Sequence, residues 1–142
     1  MLEVVPFERR HLKEMQEQEA MSYLSAYLNN EHLLHFENSH HSFTFLIDKR
    51  VVMCAGVLEF YPGRGEAWAI LDKSCKKDFM KIHNGVERFL DLCPVKRIEA
   101  VIDTDFVPGH RWAKTLGFQM EAPCLKAYRP NGKDCSMYAR IK

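Results

Sequence analysis

Hydrophobic residues recur along the 142-residue chain with two periods, and each period predicts one kind of element. Alternating apolar and polar residues, or a short continuous apolar run, are typical of a β-strand. An apolar residue at every third or fourth position is typical of an amphipathic helix. The strand patterns predict seven strands: Leu2–Pro6, Ser42–Ile47, Val51–Tyr61, Glu66–Leu71, Arg97–Asp103, Phe118–Tyr128 and Ser136–Ile141.

Helical spacing predicts four helices. The longest is Ser74–Leu92, because its apolar residues share one face, Ser74 suits an N-cap and Pro94 ends the pattern. The region Glu8–Leu28 has an apolar stripe that breaks near its middle and is interpreted as two short helices. The fourth predicted helix is Pro108–Leu116.

The order of these elements predicts the fold class. A strand, the long helix and a second strand form a crossover, which places Glu66–Leu71 and Arg97–Asp103 parallel. Short turns are predicted at Asp48–Arg50 and Pro62–Gly65, and Asn131-Gly132 is a strong hairpin signal. We expect one α/β (α+β) domain over residues 1–142, in the order β-α-α-β-β-β-α-β-α-β-β. Its mixed central sheet has about seven strands, with about four helices.

Composition narrows the class of protein without changing these elements. The apolar fraction of 46% and the charged fraction of 27% are ordinary for a globular domain. A formal net charge of +1 gives no general attraction to nucleic acid or membrane, so neither is expected as a partner. No apolar run approaches the roughly 18 residues of a membrane span, and no signal-peptide pattern is visible. We expect a cytoplasmic protein.

Cysteines and histidines do not indicate a metal site. The five cysteines are odd in number and include no C-x-x-C pair, so reduced, buried thiols are expected. His32, His35, His40 and His41 lie close together in the polar stretch His32–His41, which contains no cysteine. This spacing does not match a closed zinc site, and the stretch is interpreted as a loop.

The end of the chain carries a local motif. Trp112–Phe118 reads WAKTLGF, and its Gly117 suits a helix C-terminus, where glycine adopts a left-handed conformation without a Cβ penalty. This motif resembles the LYEKLGF of the GNAT superfamily, the Gcn5-related N-acetyltransferases, and the order of elements resembles the GNAT fold over nearly the whole chain. The tail AYRPNGKDCSMYARI is also similar to small phage- and prophage-encoded GNAT-like proteins.

The resemblance implies an N-acetyltransferase that moves acetyl from acetyl-CoA to an amine by direct attack. In that fold the strands Glu66–Leu71 and Arg97–Asp103 splay apart, and pantetheine pairs with the first of them. The pyrophosphate then sits on the amides that open the long helix, where free N–H groups and the helix dipole suit phosphate. The residues assigned to cofactor binding on this basis are Ile70, Leu71, Asp72, Ser74, Cys75, Lys76, Lys77, Arg111 and Lys114.

Two positions depart from the family pattern. The family's pyrophosphate loop, Q/R-x-x-G-x-G/A, falls on Ser74–Phe79, which contains no glycine, so a side chain crowds each position where backbone would approach phosphate. The tyrosine of LYEKLGF, often the general acid, falls on Ala113. Alanine cannot protonate the departing thiolate, although a thiolate is a tolerable leaving group.

Acetyl transfer needs a base near the amine, and three residues are candidates for catalysis. Glu66 occupies the strand where the family often keeps a carboxylate base; its alternative is a solvated residue beside a hairpin turn. Asp103 ends a strand near the expected acceptor side; its alternatives are loop solvation and helix capping. His110 can titrate near neutral pH; its alternative is a surface helix histidine.

A second class of function stays open at this stage. Without the loop glycines and the tyrosine, the chain is also consistent with a non-catalytic GNAT-like phage protein, either an internal virion protein or one that binds a host protein. For the enzyme, the acceptor is an amine-bearing small molecule or protein. The last strand and the Phe118–Tyr128 edge are candidates for pairing in a homodimer.

Overall fold

The computed structural model describes residues 1–15 and 41–142. Within them lie two α-helices, α1 (Phe79–Leu92) and α2 (Val107–Thr115), and two 3₁₀ helices, Arg9–Glu14 and Lys73–Asp78. The remainder of the region predicted as two N-terminal helices, and the loop His32–His41 except for its last residue, lie outside the described residues. The seven strands are β1 (Leu2–Pro6), β2 (Ser42–Ile47), β3 (Arg50–Tyr61), β4 (Arg64–Leu71), β5 (Arg97–Asp103), β6 (Gln119–Leu125) and β7 (Cys135–Ile141).

The strands form one mixed sheet in the order β1-β2-β3-β4-β5-β7-β6. The pairs β1–β2, β2–β3, β5–β7 and β6–β7 are antiparallel. The pair β4–β5 is parallel, as the crossover through α1 predicted. The α/β class and the seven-stranded sheet predicted from the sequence are therefore confirmed.

The chain divides into two compact units. The first unit comprises Met1–Leu58 and Trp68–Cys93. Its core forms because α1 turns the apolar stripe of Ile82, Val86 and Leu90 inward, and the ring of Phe89 lies 4.6 Å from that of Phe43 on β2. A second cluster joins buried residues of β3, β4 and the N-terminal segment: Phe7, Met15, Val51, Cys54 and Ile70.

The second unit comprises Glu59–Ala67 and Pro94–Lys142. It contains β5, β6, β7 and α2, and its largest fully buried side chain is Tyr138 on β7. The end of α2 is a Schellman motif: the Phe118 amide donates to the Ala113 carbonyl at 3.0 Å and the Gly117 amide to the Lys114 carbonyl at 3.1 Å. Gly117 has a φ of +91°, which glycine adopts without a Cβ penalty.

Two predicted strand boundaries were wrong by two or more residues. β4 begins at Arg64, because the turn before it needs only Pro62 and Gly63, which has a φ of +96°, so Glu66 is the third residue of the strand. β6 ends at Leu125, not at Tyr128, since the chain turns through a positive φ at Ala127, whose amide donates to the Asp134 carboxylate at 2.8 Å.

The long predicted helix begins differently from the expectation. A 3₁₀ helix, Lys73–Asp78, precedes α1, and its N-cap is Asp72 in place of Ser74. Asp72 takes this role because its carboxylate accepts the Ser74 amide at 3.0 Å.

Four cysteines are buried, as expected, but Cys124 on β6 is exposed. None of the helices in the described ranges is long and apolar enough to cross a membrane.

Candidate active site

The junction of β4 and β5 brings two glutamates face to face in the second unit. The parallel ladder pairs Arg64 with Arg97, Gly65 with Ile98 and Glu66 with Glu99, and it extends no further along the two strands. Side chains alternate between the faces of a strand, so residues 64 and 66 of β4 lie on the same face as residues 97 and 99 of β5. Two arginines and two glutamates therefore share one side of the junction.

Glu99 is fully engaged by arginines. Its side chain is buried, at 3% exposure for the residue, and Arg64 donates to its two carboxylate oxygens at 2.8 and 3.1 Å. Arg97 donates to the same carboxylate at 2.7 Å and also binds Glu121. The hydrogen bonds from Arg64 and then Arg97 hold the pKa of Glu99 below its usual value, against the opposing effect of burial.

Glu66 has the opposite environment. Its side chain is half-buried, and no donor among residues 1–15 and 41–142 lies within hydrogen-bonding distance of its carboxylate. Burial raises the pKa of Glu66 and the charge of Glu99 raises it further, while Arg129 and Arg64 oppose the shift. A half-buried carboxylate with a raised pKa is a stronger base than a solvated one.

Asp103 is not a solvated loop residue, which was one of the two alternatives to a catalytic role. It is buried at the end of β5, and Arg129 donates to its carboxylate at 2.9 Å. The same guanidinium donates to the Val101 carbonyl at 3.1 Å, and the Cys135 thiol lies 3.5 Å from the same carboxylate oxygen. Asp103 therefore forms an ion pair with Arg129, and a catalytic role for Asp103 stays a prediction.

His110 on α2 is hydrogen-bonded through both ring nitrogens. Its Nε2 lies 3.0 Å from the Asp103 carbonyl and 3.2 Å from that of Thr104. A carbonyl only accepts, so Nε2 carries the hydrogen and Nδ1 of the neutral ring accepts the Tyr138 hydroxyl at 2.7 Å. His110 is therefore half-buried and anchored, unlike a surface helix histidine, and its catalytic role stays a prediction.

The turn predicted to hold pyrophosphate lies in the first unit, and three of its amides donate to acceptors within the chain. The Asp72 amide donates to the Val52 carbonyl at 2.9 Å and the Cys75 amide to the Asp72 carbonyl at 3.0 Å. The Ser74 amide donates to the Asp72 carboxylate, as described above. Arg50 closes the turn from β3, through hydrogen bonds to the Ser74 hydroxyl and, at 3.2 Å, to Asp78.

Solved structures share this architecture at low sequence identity. Ard1 from Thermoplasma volcanium matches with a TM-score of 0.80 at 16% identity, over 99% of this chain and 97% of that one. A GNAT-family acetyltransferase from Bacillus anthracis gives 0.70 at 16%, over 99% and 94% of the two chains. A spermidine N-acetyltransferase SpeG chimera from Vibrio cholerae and hSSAT gives 0.74 at 14%, over 99% and 95%.

The fold is the GNAT fold. Identities this low establish the fold and not the activity. No protein-family model matches the chain, and no curated protein matches it by sequence. None of the three named neighbours is a phage protein by its printed name, so the resemblance to phage proteins stays a prediction.

The first-unit turn differs in two respects from a pyrophosphate cradle built from backbone amides. The amides of Asp72, Ser74 and Cys75 are occupied, and no glycine lets a phosphate approach more closely. The side chains of Ile70, Leu71 and Cys75 are buried, so these residues offer a ligand only their backbone. The turn presents three exposed lysines to solvent: Lys73 at its start and Lys76 and Lys77 near its end.

Two further residues assigned to cofactor binding, Arg111 and Lys114, lie in the second unit at exposed positions of α2. Ala113, at the position of the GNAT tyrosine, is buried as part of the Schellman motif and presents only a methyl group. Among the described residues no three His, Cys, Asp or Glu side chains are grouped to hold a metal ion; His32, His35 and His40 lie outside them.

Sequence reasoning missed four charged residues at the junction: Arg64, Arg97, Glu99 and Arg129. The sequence pattern does indicate three of them, Arg64, Arg97 and Glu99. Charged residues stand at alternating positions in two otherwise apolar strands, at 64 and 66 in β4 and at 97 and 99 in β5. Charges repeated on one face of a buried strand usually pair or shift their pKa, because an unpaired buried charge is costly. Arg129 carried no such signal, since it lies in a loop.

Proposed function

We propose that the protein is an N-acetyltransferase that moves acetyl from acetyl-CoA to an amine, with Glu66 as the base. The observation that carries this proposal is a half-buried carboxylate with no described partner, at the end of the β4–β5 ladder of a GNAT fold. The acceptor is an amine on a small molecule or a protein.

The chemistry requires one proton to leave the amine. As the nitrogen bonds to the acyl carbon and the carbon–sulfur bond of the thioester breaks, Glu66 accepts that proton directly or through one water. The thiolate takes its proton from solvent, because Ala113 has none to give.

Substitution of Glu66→Gln tests the proposal. Loss of a general base lowers the rate by about 10²- to 10⁴-fold. We expect a loss of this size in kcat/KM, measured as thiol release from acetyl-CoA with a polyamine, a lysine peptide and a peptide with a free N-terminus as acceptors. Glu121→Gln is the matched control, because Glu121 is an exposed, arginine-bound glutamate of the same unit. A Glu66→Gln variant with the wild-type rate would contradict the assignment.

The stability of the same variant separates loss of chemistry from loss of structure. The pKa of Glu66 is raised in the folded state, so its stabilising contribution is present at low pH and is lost as pH rises through the folded pKa. Glutamine cannot ionise, so Glu66→Gln should melt at a higher temperature than the wild type at pH 8. Lower activity together with lower stability would instead indicate damaged folding.

Two observations favour a second candidate function: the amides of Asp72, Ser74 and Cys75 are already hydrogen-bonded, and Ala113 stands at the position of the GNAT tyrosine. It is a GNAT-fold protein without acetyl-CoA chemistry that assembles with itself, with a virion or with a host protein. It predicts no saturable acetyl-CoA binding by calorimetry at millimolar concentration. Saturable binding, with turnover that depends on Glu66, would exclude it.

A further inference from the structure

Two arginines lie near enough to Glu66 to lower its pKa, and each is hydrogen-bonded to a different carboxylate. Arg64 is bidentate on Glu99, at 2.8 and 3.1 Å, and Arg129 donates to Asp103 at 2.9 Å. Both lower the pKa of Glu66 through their charge, although neither makes a hydrogen bond to it. The two cations that act on Glu66 are thus each hydrogen-bonded to another carboxylate.

The register of the junction makes Glu99 the residue that decides this arrangement. Arg64 lies two positions before Glu66 on the same face of β4, and Glu99 lies directly across from Glu66 on β5. The Arg64 guanidinium therefore has two glutamates on its own side of the sheet. The guanidinium binds Glu99. Arg97, which lies two positions before Glu99 in β5, also donates to the Glu99 carboxylate, at 2.7 Å.

We propose that Glu99 is a positioning residue that withholds Arg64 from Glu66 and fixes a negative charge opposite it, so that Glu66 stays unpaired and basic. This inference rests on the proposed role of Glu66 as the base. Glu99 itself touches no reacting atom in this scheme, because its oxygens are occupied by Arg64 and Arg97.

The charges facing Glu66 are consistent with this role. They are Arg64 from β4, Glu99 from β5, and Tyr128 and Arg129 from the segment after β6. The arginines keep the pKa of Glu99 below its usual value, so Glu99 is already ionised over the pH range in which Glu66 loses its proton. The charge of Glu99 therefore opposes ionisation of Glu66 throughout that range.

Direct titration of Glu66 tests the proposal without relying on activity. In protein with ¹³C-labelled glutamate carboxyls, the Glu66 signal is assigned as the one missing from Glu66→Gln. In Glu99→Gln, the midpoint of that signal should move to lower pH, because the opposing charge is gone and Arg64 is released. Glu121→Gln removes a carboxylate whose one partner among the described residues is Arg97, and should leave the midpoint unchanged.

The pH–rate profile gives a second measurement. One pH unit below the midpoint of the wild type, a single base leaves about a tenth of the plateau rate. Glu99→Gln should retain a larger fraction at that pH. It should also show a lower plateau, because a weaker base transfers the proton more slowly. An unchanged Glu66 midpoint in Glu99→Gln would overturn the proposal.

Because Glu99 is buried, Glu99→Gln could destabilise the fold, so a second variant tests the same contact at a more exposed residue. Arg64→Gln changes a partly exposed position and removes the withheld cation. It should move the Glu66 midpoint to higher pH, opposite in sign to Glu99→Gln, and no shift would overturn the proposal. If both shifts occur but no acetyl transfer is found, the proposed function fails while the control of Glu66 by Glu99 stands.

Discussion

Replacing His110 with alanine removes the partner of a hydroxyl that solvent does not reach. Tyr138 is 0% exposed, and its hydroxyl donates to His110 Nδ1 at 2.7 Å. A buried polar group left without a partner costs roughly 1–3 kcal/mol, and the lost bond from Nε2 to the Asp103 carbonyl adds about 0.5–1.5 kcal/mol. We expect His110→Ala to lower the free energy of unfolding by about 2–4 kcal/mol.

The double variant shows whether this cost comes from the hydrogen bond. Tyr138→Phe removes the hydroxyl and takes one hydrogen bond from His110, which is only half-buried, so it should cost about 0.5–1.5 kcal/mol. In His110→Ala/Tyr138→Phe no hydroxyl is left unsatisfied. The double variant should therefore be more stable than the sum of the single changes implies, by about 1–2 kcal/mol.

Urea unfolding at constant pH, fitted to two states, measures all three variants. For a chain of this length, each kcal/mol also lowers the melting temperature by about 3 °C. Lys114→Ala, at an exposed position of the same helix, should change the free energy of unfolding by less than about 0.5 kcal/mol. Additive costs for His110 and Tyr138 would refute the reasoning. A catalytic His110 would instead lower kcat by orders of magnitude in a variant that still folds.

Two further predictions concern the backbone of α2 and the thiols. Gly117→Ala should cost about 1–2 kcal/mol in the free energy of unfolding, because a φ of +91° strains any residue with a Cβ. The cost comes from the backbone and not from a clash, since the added Cβ would lie 3.5 Å from its nearest neighbour, Arg140 Nε, which is an ordinary contact distance. Gly117→Asn should recover part of this cost, and a neutral alanine would contradict it. Ellman's reagent at pH 8 should titrate one thiol, Cys124, in the native protein and all five after denaturation. Burial raises the pKa of Cys54 to about 12 and that of Cys135 to about 11, so rapid native labelling of either would refute their burial.

Local patterns in the sequence determined the elements. The limits of β2 and β5 follow from alternation and apolar runs, and the end of α2 follows from Gly117, because each depends on residues within a few positions of one another. The error at the end of β6 fell where contacts between distant residues accompany the boundary. β6 stops before the chain turns at Ala127, whose amide binds Asp134, and the segment after this turn carries Arg129 to Asp103, 26 residues away. No local pattern in the sequence contains these contacts.

The order of elements predicted from the sequence, together with the WAKTLGF motif, supported the resemblance to the GNAT fold, and that resemblance singled out Glu66 as a candidate base. Only the tertiary structure decided which carboxylates are paired. Glu66 and Glu99 are the same residue type in similar strands, 33 positions apart, and the register of the β4–β5 ladder sets them opposite each other. Arg64 then binds Glu99 and leaves Glu66 without a described partner, because hydrogen bonding depends on distances of a few ångströms that one-dimensional spacing does not contain.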